Sequence, residues 1–590
     1  MRTVHAATGS YGDLNGMNIQ RSTPDTSRST WMILILALAV AAAAVWAHAP
    51  CLQGGFLTNM DDDVYMAAAK QYGGLTSAGV HWAFTETLPY YQPLPRLTHL
   101  FAYTMWVERP TGHHAVNLAL HAFNAALATI LAWILLRFGM SPVRQSFARR
   151  DDEIVGESLW QPAVLAGFVG LVFAVHPLQA ESVAWIAGRT QLLCATLILG
   201  CVLAYVHATW SGRNGWRWVS GVLFIAAWLT KPIVVTLPIV LLVLDWFPLR
   251  RHLTCSWGQL LWEKAWMFAV SVVLTLVTFC FASGKAMLPD AKSIGLVLRV
   301  LIAERAIVFY VWKLIWPAWL SPFYPLMGTI TLASAEFFAP ALLLTAACLG
   351  VWFARRRAPA LAAAWMAYIA LVLPVLGLTQ FGGESVANRH MYVAMLPLVL
   401  VAAGGGAWLC RRAPAVGRAA LIILAAASLV YLGERTRMDV RMWHDDETFW
   451  RNVLRWYPDY AFANWKVAEG AIARRDFVTG LPCAERALEG FPKDNRIRGM
   501  LGLAYLKTHS YEAAVRTLEP LVRADTWMPA ARYNLACAYA RLGSNAAAFA
   551  VLRELLSREP RFIELAKRDR ELAGLRGDPQ FAEAIRGPAQ

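Results

Sequence analysis

Between residues 31 and 433 long apolar runs alternate with short polar connections, and from residue 434 onward the texture changes to amphipathic segments with alanine at packing positions. Several of the runs reach the roughly 20 apolar residues that a bilayer-crossing helix needs. They lie at 31–49, 115–136, 161–175, 192–209, 232–247, 265–283, 338–354, 360–378, 391–409 and 416–433, and a shorter run at 218–230 reads as an eleventh span. The stretch "LRVLIAERAIVFYVWKLIW", residues 298–316, is apolar on average, yet Arg299, Glu304, Arg305 and Lys313 make it a poor lipid-facing span. The pattern there predicts an amphipathic or re-entrant helix on the outer face.

The two ends of the chain read differently. Residues 1–30 are polar and rich in Ser, Thr and Gly, the texture of a disordered cytoplasmic N-terminus. The first apolar run follows Arg21 and Arg28 and ends in "AHA" at 47–49, which has the form of a cleavage site, but Pro50 and the length of the run favour a retained anchor. Beyond residue 434 a period of 34 emerges. "LGLAYLKTHSYEAAVRTLEPL" from 501 aligns with "LACAYARLGSNAAAFAVLREL" from 535, and Pro458, Pro492 and Pro560 keep the same beat. This spacing predicts a tetratricopeptide-repeat α-solenoid of about three repeats with a divergent cap, whose units bury their faces by stacking. Its concave side is a natural peptide-binding surface or, alternatively, a rigid cap on the membrane region.

Composition agrees with a bundle in lipid: 57% of the 590 residues are hydrophobic and 16% charged. The formal charge of +15 invites a nucleic-acid reading, but residues 434–590 hold 25 basic against 21 acidic residues, so +11 resides in the apolar region. Much of it sits in short loops, at Arg144, Arg149 and Arg150, at Arg213 and Arg217, at Arg250 and Arg251, at Arg355 to Arg357, and at Arg411 and Arg412. Such clusters mark the cytoplasmic side. With the N-terminus inside and residues 284–337 not crossing, 11 spans place the C-terminal region outside, and no nucleic-acid partner is implied. The nine cysteines show no CxxC pair and no Cys/His zinc spacing.

Against this background "FLTNMDDDVYM", residues 56–66, puts Asp61, Asp62 and Asp63 in the first outer loop, at the start of a short helix. Successive helical positions differ by about 100°, so one or two of the three acids can serve a common target. Other ionisable groups recur at span ends on the same side: His176, Glu181 and Arg189 in "AVHPLQAESVAWIAGRTQ", Lys231 in "WLTKPIVV", and Glu384, Arg389 and His390 in "ESVANRHMY". Charge at membrane depth is costly and points to function.

In order along the chain, "NMDDDVYM", "YYQPLPRLTHL" at 90–100, "HHAVNLALHAFNA" at 113–125, "HPLQAESVAWIAGR" at 176–189, "LTKPIVVTLPIVLLVLDW" at 229–246, "SPFYP" at 321–325 and the repeats resemble the transmembrane and tetratricopeptide-repeat mannosyltransferases of the GT-C superfamily and their bacterial relatives. The resemblance covers nearly everything from about residue 50 to the end. It departs from the family at Asn388, where glutamate usually precedes the arginine, and at Pro232, where an acid commonly follows the lysine.

The resemblance implies a GT-C membrane domain at 31–433 with a catalytic loop at 50–112, and an extracytoplasmic repeat domain at 434–590. It implies an inverting transferase in the bacterial inner membrane or its equivalent. That enzyme would move a mannose-like sugar from a polyprenyl-phosphate donor to a Ser or Thr hydroxyl of a polypeptide held by the repeats. Asp61 falls on the first acid of the family's pair and is implied as the base, Asp62 as its partner or the ligand of a divalent metal. Arg189, Lys231 and Arg389 are candidates for the lipid phosphate, while His176, Glu181 and Tyr91 shape the substrate pocket. The chemistry fits independently: attack on a glycosyl phosphate needs a base for the acceptor hydroxyl, whereas the phosphate leaving group needs only cationic or metal stabilisation. Two other readings are the same chemistry on a glycan or lipid acceptor, and a non-catalytic membrane scaffold that organises partners through its repeats.

Overall fold

The computed structural model describes residues 26–86, 91–140, 160–283, 295–326, 335–377, 384–524 and 527–586. The basic group Arg144, Arg149 and Arg150 and the polar N-terminus up to residue 25 lie outside these. Among the described residues the chain is all-α, with one isolated β-bridge between Pro325 and Glu384.

The apolar part contains α1 (Thr26–His48), α2 (Asp62–Gln71), α3 (Ser77–Thr85), α4 (Pro93–Trp106), α5 (Pro110–Met140), α6 (Trp160–Val175), α7 (Ala180–Ala184), α8 (Arg189–Ser211), α9 (Gly215–Trp228), α10 (Leu237–Trp246), α11 (Trp257–Ser283), α12 (Leu296–Ile315), α13 (Ala335–Ala354), α14 (Pro359–Val372), α15 (Met391–Arg412) and α16 (Ala415–Val440). Among the described residues seven helical stretches, built on α1, α5, α8, α11, α13, α15 and α16, are long and apolar enough to cross a membrane; the one on α15 begins at Asn388. A bent pair, 161–175 with 177–184, passes the same test as one unit with a 50° break. The apolar segments at 232–246 and 359–375 are shorter, and α12 is not among the seven. The chain is therefore an integral membrane protein.

Small residues let the first spans approach closely, as lipid-immersed packing requires. A β-carbon at Gly170 of α6 would lie 2.0 Å from Thr129 Oγ1 of α5, and one at Gly167 would lie 2.9 Å from Leu36 of α1. About four turns along α8 from Arg189, an ion network ties the far ends of α8, α10 and α11. Lys264 Nζ lies 2.6 Å from Asp245, Arg251 lies 3.2 Å from Asp245 and 2.8 Å from Glu263, and the Tyr205 hydroxyl donates to Asp245 at 2.7 Å. Every buried charge there meets an opposite one, so this end is closed.

After α17 (Asp446–Trp456), three helix hairpins follow: α18 (Ala461–Ala473) with α19 (Phe477–Gly490), α20 (Asn495–Lys507) with α21 (Tyr511–Arg523), and α22 (Pro529–Arg541) with α23 (Asn545–Arg558). The first helices begin at 461, 495 and 529, and the second at 477, 511 and 545, a constant step of 34. Each helix packs on its own partner, and α19 packs on α20 as α21 does on α22. Buried Ala468, Ala484, Ala504, Ala514 and Ala538 make this stacking close. Carboxylates start the helices: Asp445 accepts from Thr448 N, Asp476 from Thr479 N and Asp494 from Ile497 N. Two short helices, α24 (Ile563–Arg568) and α25 (Pro579–Ile585), close the end.

Candidate active site

The three aspartates do three different things. Asp62 is buried, and both its oxygens are engaged: Oδ2 accepts from Leu57 N at 3.0 Å and Oδ1 from Ala187 N at 2.8 Å. It thereby pins the loop before α2 to the segment that precedes α8. Burial pushes its pKa up to about 7, the two amides pull it back, and the neighbouring Asp61 charge raises it. Asp63 is exposed and accepts from Val64 N at 2.9 Å. Asp61, just before α2, reaches solvent, and among the described residues nothing donates a hydrogen bond to its carboxylate. It sits in a recess all the same. Desolvation by the surrounding protein raises its pKa, Arg389 lowers it, and Asp63 and Glu384 raise it.

The break after α6 frees backbone groups inside the membrane region, where each must find a partner. His176 stands at the break and accepts from Leu178 N through Nδ1 at 3.2 Å, so its Nε2–H donates to the Leu314 carbonyl at 3.0 Å. Both ring nitrogens are thus committed. A polar stripe on α5 caps the remainder. Asn117 Nδ2 donates to the carbonyls of Val183, Trp185 and Ile186, His121 meets the Ala174 carbonyl at 3.1 Å and the Tyr392 hydroxyl at 2.7 Å, and Asn124 donates to the Leu192 carbonyl at 2.9 Å. Gly188 completes the turn, since a β-carbon there would lie 2.6 Å from the Ser182 carbonyl oxygen.

Arg189 follows and is placed differently from the expectation of a phosphate ligand. It is 0% exposed, with Nε donating to Asn117 Oδ1 at 2.9 Å and its two terminal nitrogens to the carbonyls of Thr98 at 3.1 Å and His113 at 2.8 Å. The guanidinium is turned into the protein, where it joins α4, α5 and α8. His176 is likewise enclosed rather than lining an open pocket. Tyr91 is half-buried and stands 6.4 Å, centroid to centroid, from Trp228.

Arg389, Glu181 and Glu384 form a bridge at the start of α15. One terminal nitrogen of Arg389 donates to Glu181 and the other to Glu384, while the Arg389 backbone N–H donates to Glu181 at 3.0 Å. The guanidinium carbon lies 5.7 Å from the Trp185 ring centre. Its charge is therefore already met by two carboxylates. Lys231 differs: its Nζ donates to the neutral Gln191 Oε1 at 2.8 Å, and among the described residues no carboxylate is within ion-pair distance of it. An apolar cavity opens beside that pair, lined by Gln191, Ile233, Leu371, His390 and Val393. His390 accepts from or donates to the Tyr310 hydroxyl at 2.9 Å. Asn388 accepts from the Tyr324 hydroxyl at 3.1 Å and donates to the Ser321 carbonyl at 3.1 Å, which anchors "SPFYP" beside the site.

Sequence reasoning missed one contact because it joins positions 388 residues apart. Asp446, the first residue of α17, accepts from the backbone N–H of Thr58 at 3.2 Å and of Asn59 at 3.3 Å, and from the Thr58 hydroxyl. Gly55 N also donates to the His444 carbonyl at 2.7 Å. The loop that carries Asp61 is clamped from both sides, by Asp62 to the membrane helices and by Asp446 to the C-terminal helices. Asp446→Ala is expected to raise amide hydrogen exchange across residues 55–62 and leave α5 protected. Unchanged exchange in that loop would show that the clamp contributes no rigidity.

Among the described residues no group of three or more His, Cys, Asp or Glu side chains gathers to hold a metal ion. Each Asp62 oxygen accepts one backbone amide, so within the adjacent pair Asp61 is the carboxylate without a hydrogen-bond donor. Asp62, expected as the partner of Asp61 or a metal ligand, is placed as its buried neighbour.

The fold and site together define a polytopic helical membrane protein in which, among the described residues, the unbonded carboxylate of Asp61 and a lysine without an ion-pair partner both face the Arg389–Glu384 bridge. Comparison with known proteins places relatives beside it. The chain is 32% identical over 138 residues to "Protein O-mannosyl-transferase Tmtc3" of Drosophila melanogaster, 28% over 150 residues to "Protein O-mannosyl-transferase TMTC2" of Mus musculus, and 31% over 119 residues to "Protein O-mannosyl-transferase TMTC4" of Homo sapiens. These alignments cover 22%, 25% and 20% of this chain and only 14%, 14% and 15% of the relatives. No family model and no solved structure matches.

Proposed function

We propose that this protein is a GT-C glycosyltransferase that moves a mannose-like monosaccharide from a polyprenyl-phosphate donor to a hydroxyl of a polypeptide at the outer membrane face. The single observation that carries the reading is that Asp61, whose solvent-reachable carboxylate accepts no hydrogen bond among the described residues, and Lys231, which has no carboxylate within ion-pair distance there, both lie within electrostatic reach of the Arg389–Glu384 bridge. The names of the similar proteins support it from outside the site.

In this reading Asp61 takes the proton of the acceptor hydroxyl as its oxygen attacks the anomeric carbon. The bond from that carbon to the phosphate oxygen breaks, and the lipid phosphate departs with the electron pair. Lys231 offsets the charge that develops there, with Arg389 behind it. One carboxylate on one side of the sugar gives inversion. Asp62, Arg189, His176 and Glu181 act as positioning residues, because their polar atoms are already spent on holding the loop, the helix break and Arg389.

The same reading assigns eleven crossings to the apolar runs, the basic loops to the cytoplasm and the C-terminal hairpins to the outside, in the bacterial inner membrane or its equivalent. The domain limits are those of the texture change, 31–433 for the membrane part and 434–590 for the rest. The 34-residue step between hairpins supports a tetratricopeptide solenoid, which would present the polypeptide acceptor to Asp61 across the Asp446 contact.

The test is consumption of donor. Purified protein incubated with a panel of polyprenyl-phosphate sugars is expected to consume one of them, slowly by hydrolysis and faster with a polypeptide acceptor. Consumption of none, by protein whose fold is intact, would remove the reading.

A further inference from the structure

The C-terminal turn of α12 and the segment after it bring indole rings to the surface that nothing in the described chain covers. Trp312, Trp316 and Trp319 are 55%, 49% and 65% exposed, Ile315 between them 70%, and Trp456 of α17 39%. The rings of Trp319 and Trp456 lie 6.5 Å apart. Trp319 has a φ of 58°, the left-handed region that a β-carbon disfavours. Lys313, itself buried, holds that turn by donating from Nζ to the carbonyls of Ala318 at 2.7 Å and Trp319 at 3.2 Å. A buried ammonium and a disfavoured backbone conformation thus serve to turn a large ring outward. Such strain persists where the surroundings over-determine it and marks sites with a role.

The level of the cluster says what covers it. Asn388, the first residue of a membrane-crossing helix, is hydrogen-bonded to Ser321 and Tyr324, two and five residues beyond Trp319. The cluster therefore lies at the end of a span. Laterally, α12 packs on the span α13, whose Phe337 ring meets Arg305 of α12 and whose Phe338 and Leu342 are exposed. Indole combines an apolar body with a polar N–H and concentrates where hydrocarbon gives way to headgroups. A soluble partner would cover this surface only by displacing the lipid that α13 requires beside it.

We propose that Trp312, Trp316, Trp319 and Trp456 form a docking surface for the headgroup layer of the bilayer on the Asp61 side. The surface seats α17 on the membrane and so fixes the height of the C-terminal hairpins above it. The inference goes beyond the proposed activity and does not depend on it.

The full-length protein in phospholipid nanodiscs tests this with two photoactivatable phosphatidylcholines, one carrying its diazirine near the headgroup and one at the end of an acyl chain. The headgroup probe is expected to label peptides containing residues 312–319 and 456, and the chain-end probe to label α13 but not those peptides. Trp319→Ser combined with Trp456→Ser should lose headgroup labelling at the cluster and keep labelling of α13, which also reports that the bundle is intact. Absence of headgroup labelling at the cluster while α13 is labelled would overturn the proposal. So would labelling of the cluster by the chain-end probe as strongly as α13, or cross-links through the cluster between two copies of the chain.

Discussion

Arg389→Met is expected to cost about 3–5 kcal/mol of stability, the loss typical of removing one partner from a buried ion pair. The reason is local. Glu181 is buried at 2% exposure, and its neutralisation comes from the guanidinium that it shares with Glu384. Without Arg389 two carboxylates face one another at the end of a membrane helix, with only the backbone N–H of residue 389 left to Glu181. Adding Glu181→Gln to that variant removes the stranded charge and should recover part of the loss. Arg389→Lys keeps the charge but not the fork that reaches both acids, and should fall between. Thermal unfolding of the detergent-solubilised variants reads all three. Wild-type stability in Arg389→Met would show that the bridge holds nothing.

Asp61→Asn should leave the fold intact and lower transfer by a factor on the order of 10² to 10⁴, the usual penalty for losing a general base. The fold is spared because the side chain is exposed and accepts no hydrogen bond. Asp62→Asn is expected to behave in the opposite way. It sets an amide N–H against a buried backbone N–H, at a cost of about 1–3 kcal/mol for the unmade bond. Its effect on transfer would follow from the displaced loop. The pH profile adds a signature. Desolvation in its recess raises the Asp61 pKa above 3.8, so the base is in its active, ionised form only above that raised value. The acid limb of kcat/KM should accordingly lie at higher pH than an ordinary carboxylate allows. Because Arg389 lowers that pKa, replacing Arg389 should move the limb higher still. A limb at the ordinary carboxylate value would mean that another group is the base.

Apolar runs and the 34-residue period were legible because each rests on local repetition. A stretch long enough to span lipid has no other way to satisfy its backbone, and the hairpins begin at 461, 495 and 529 as the proline beat at 458 and 492 implies. The charged residues were legible as polar groups at span ends, but their assignments were not, because burial and partner choice are set by tertiary contact. Arg189 and Arg389 look alike in sequence, yet one is spent on three neutral acceptors and the other on two carboxylates. The stripe of Asn117, His121 and Asn124 carried a signal, polar residues three and four apart within an apolar run, that marks a helix serving broken backbone nearby. Asp446 carried none: an acid at a helix start is ordinary, and its contact with Thr58 exists only once the C-terminal helices are docked.

The central claim is that Asp61 makes this membrane protein a sugar transferase that acts on polypeptides. It is tested most directly by labelled polyprenyl-phosphate mannose and a polypeptide acceptor supplied to wild-type and Asp61→Asn protein in matched proteoliposomes. The account predicts label on the polypeptide with the wild type, and an unchanged donor affinity with little or no transfer in the variant. Equal transfer by the two proteins would contradict it.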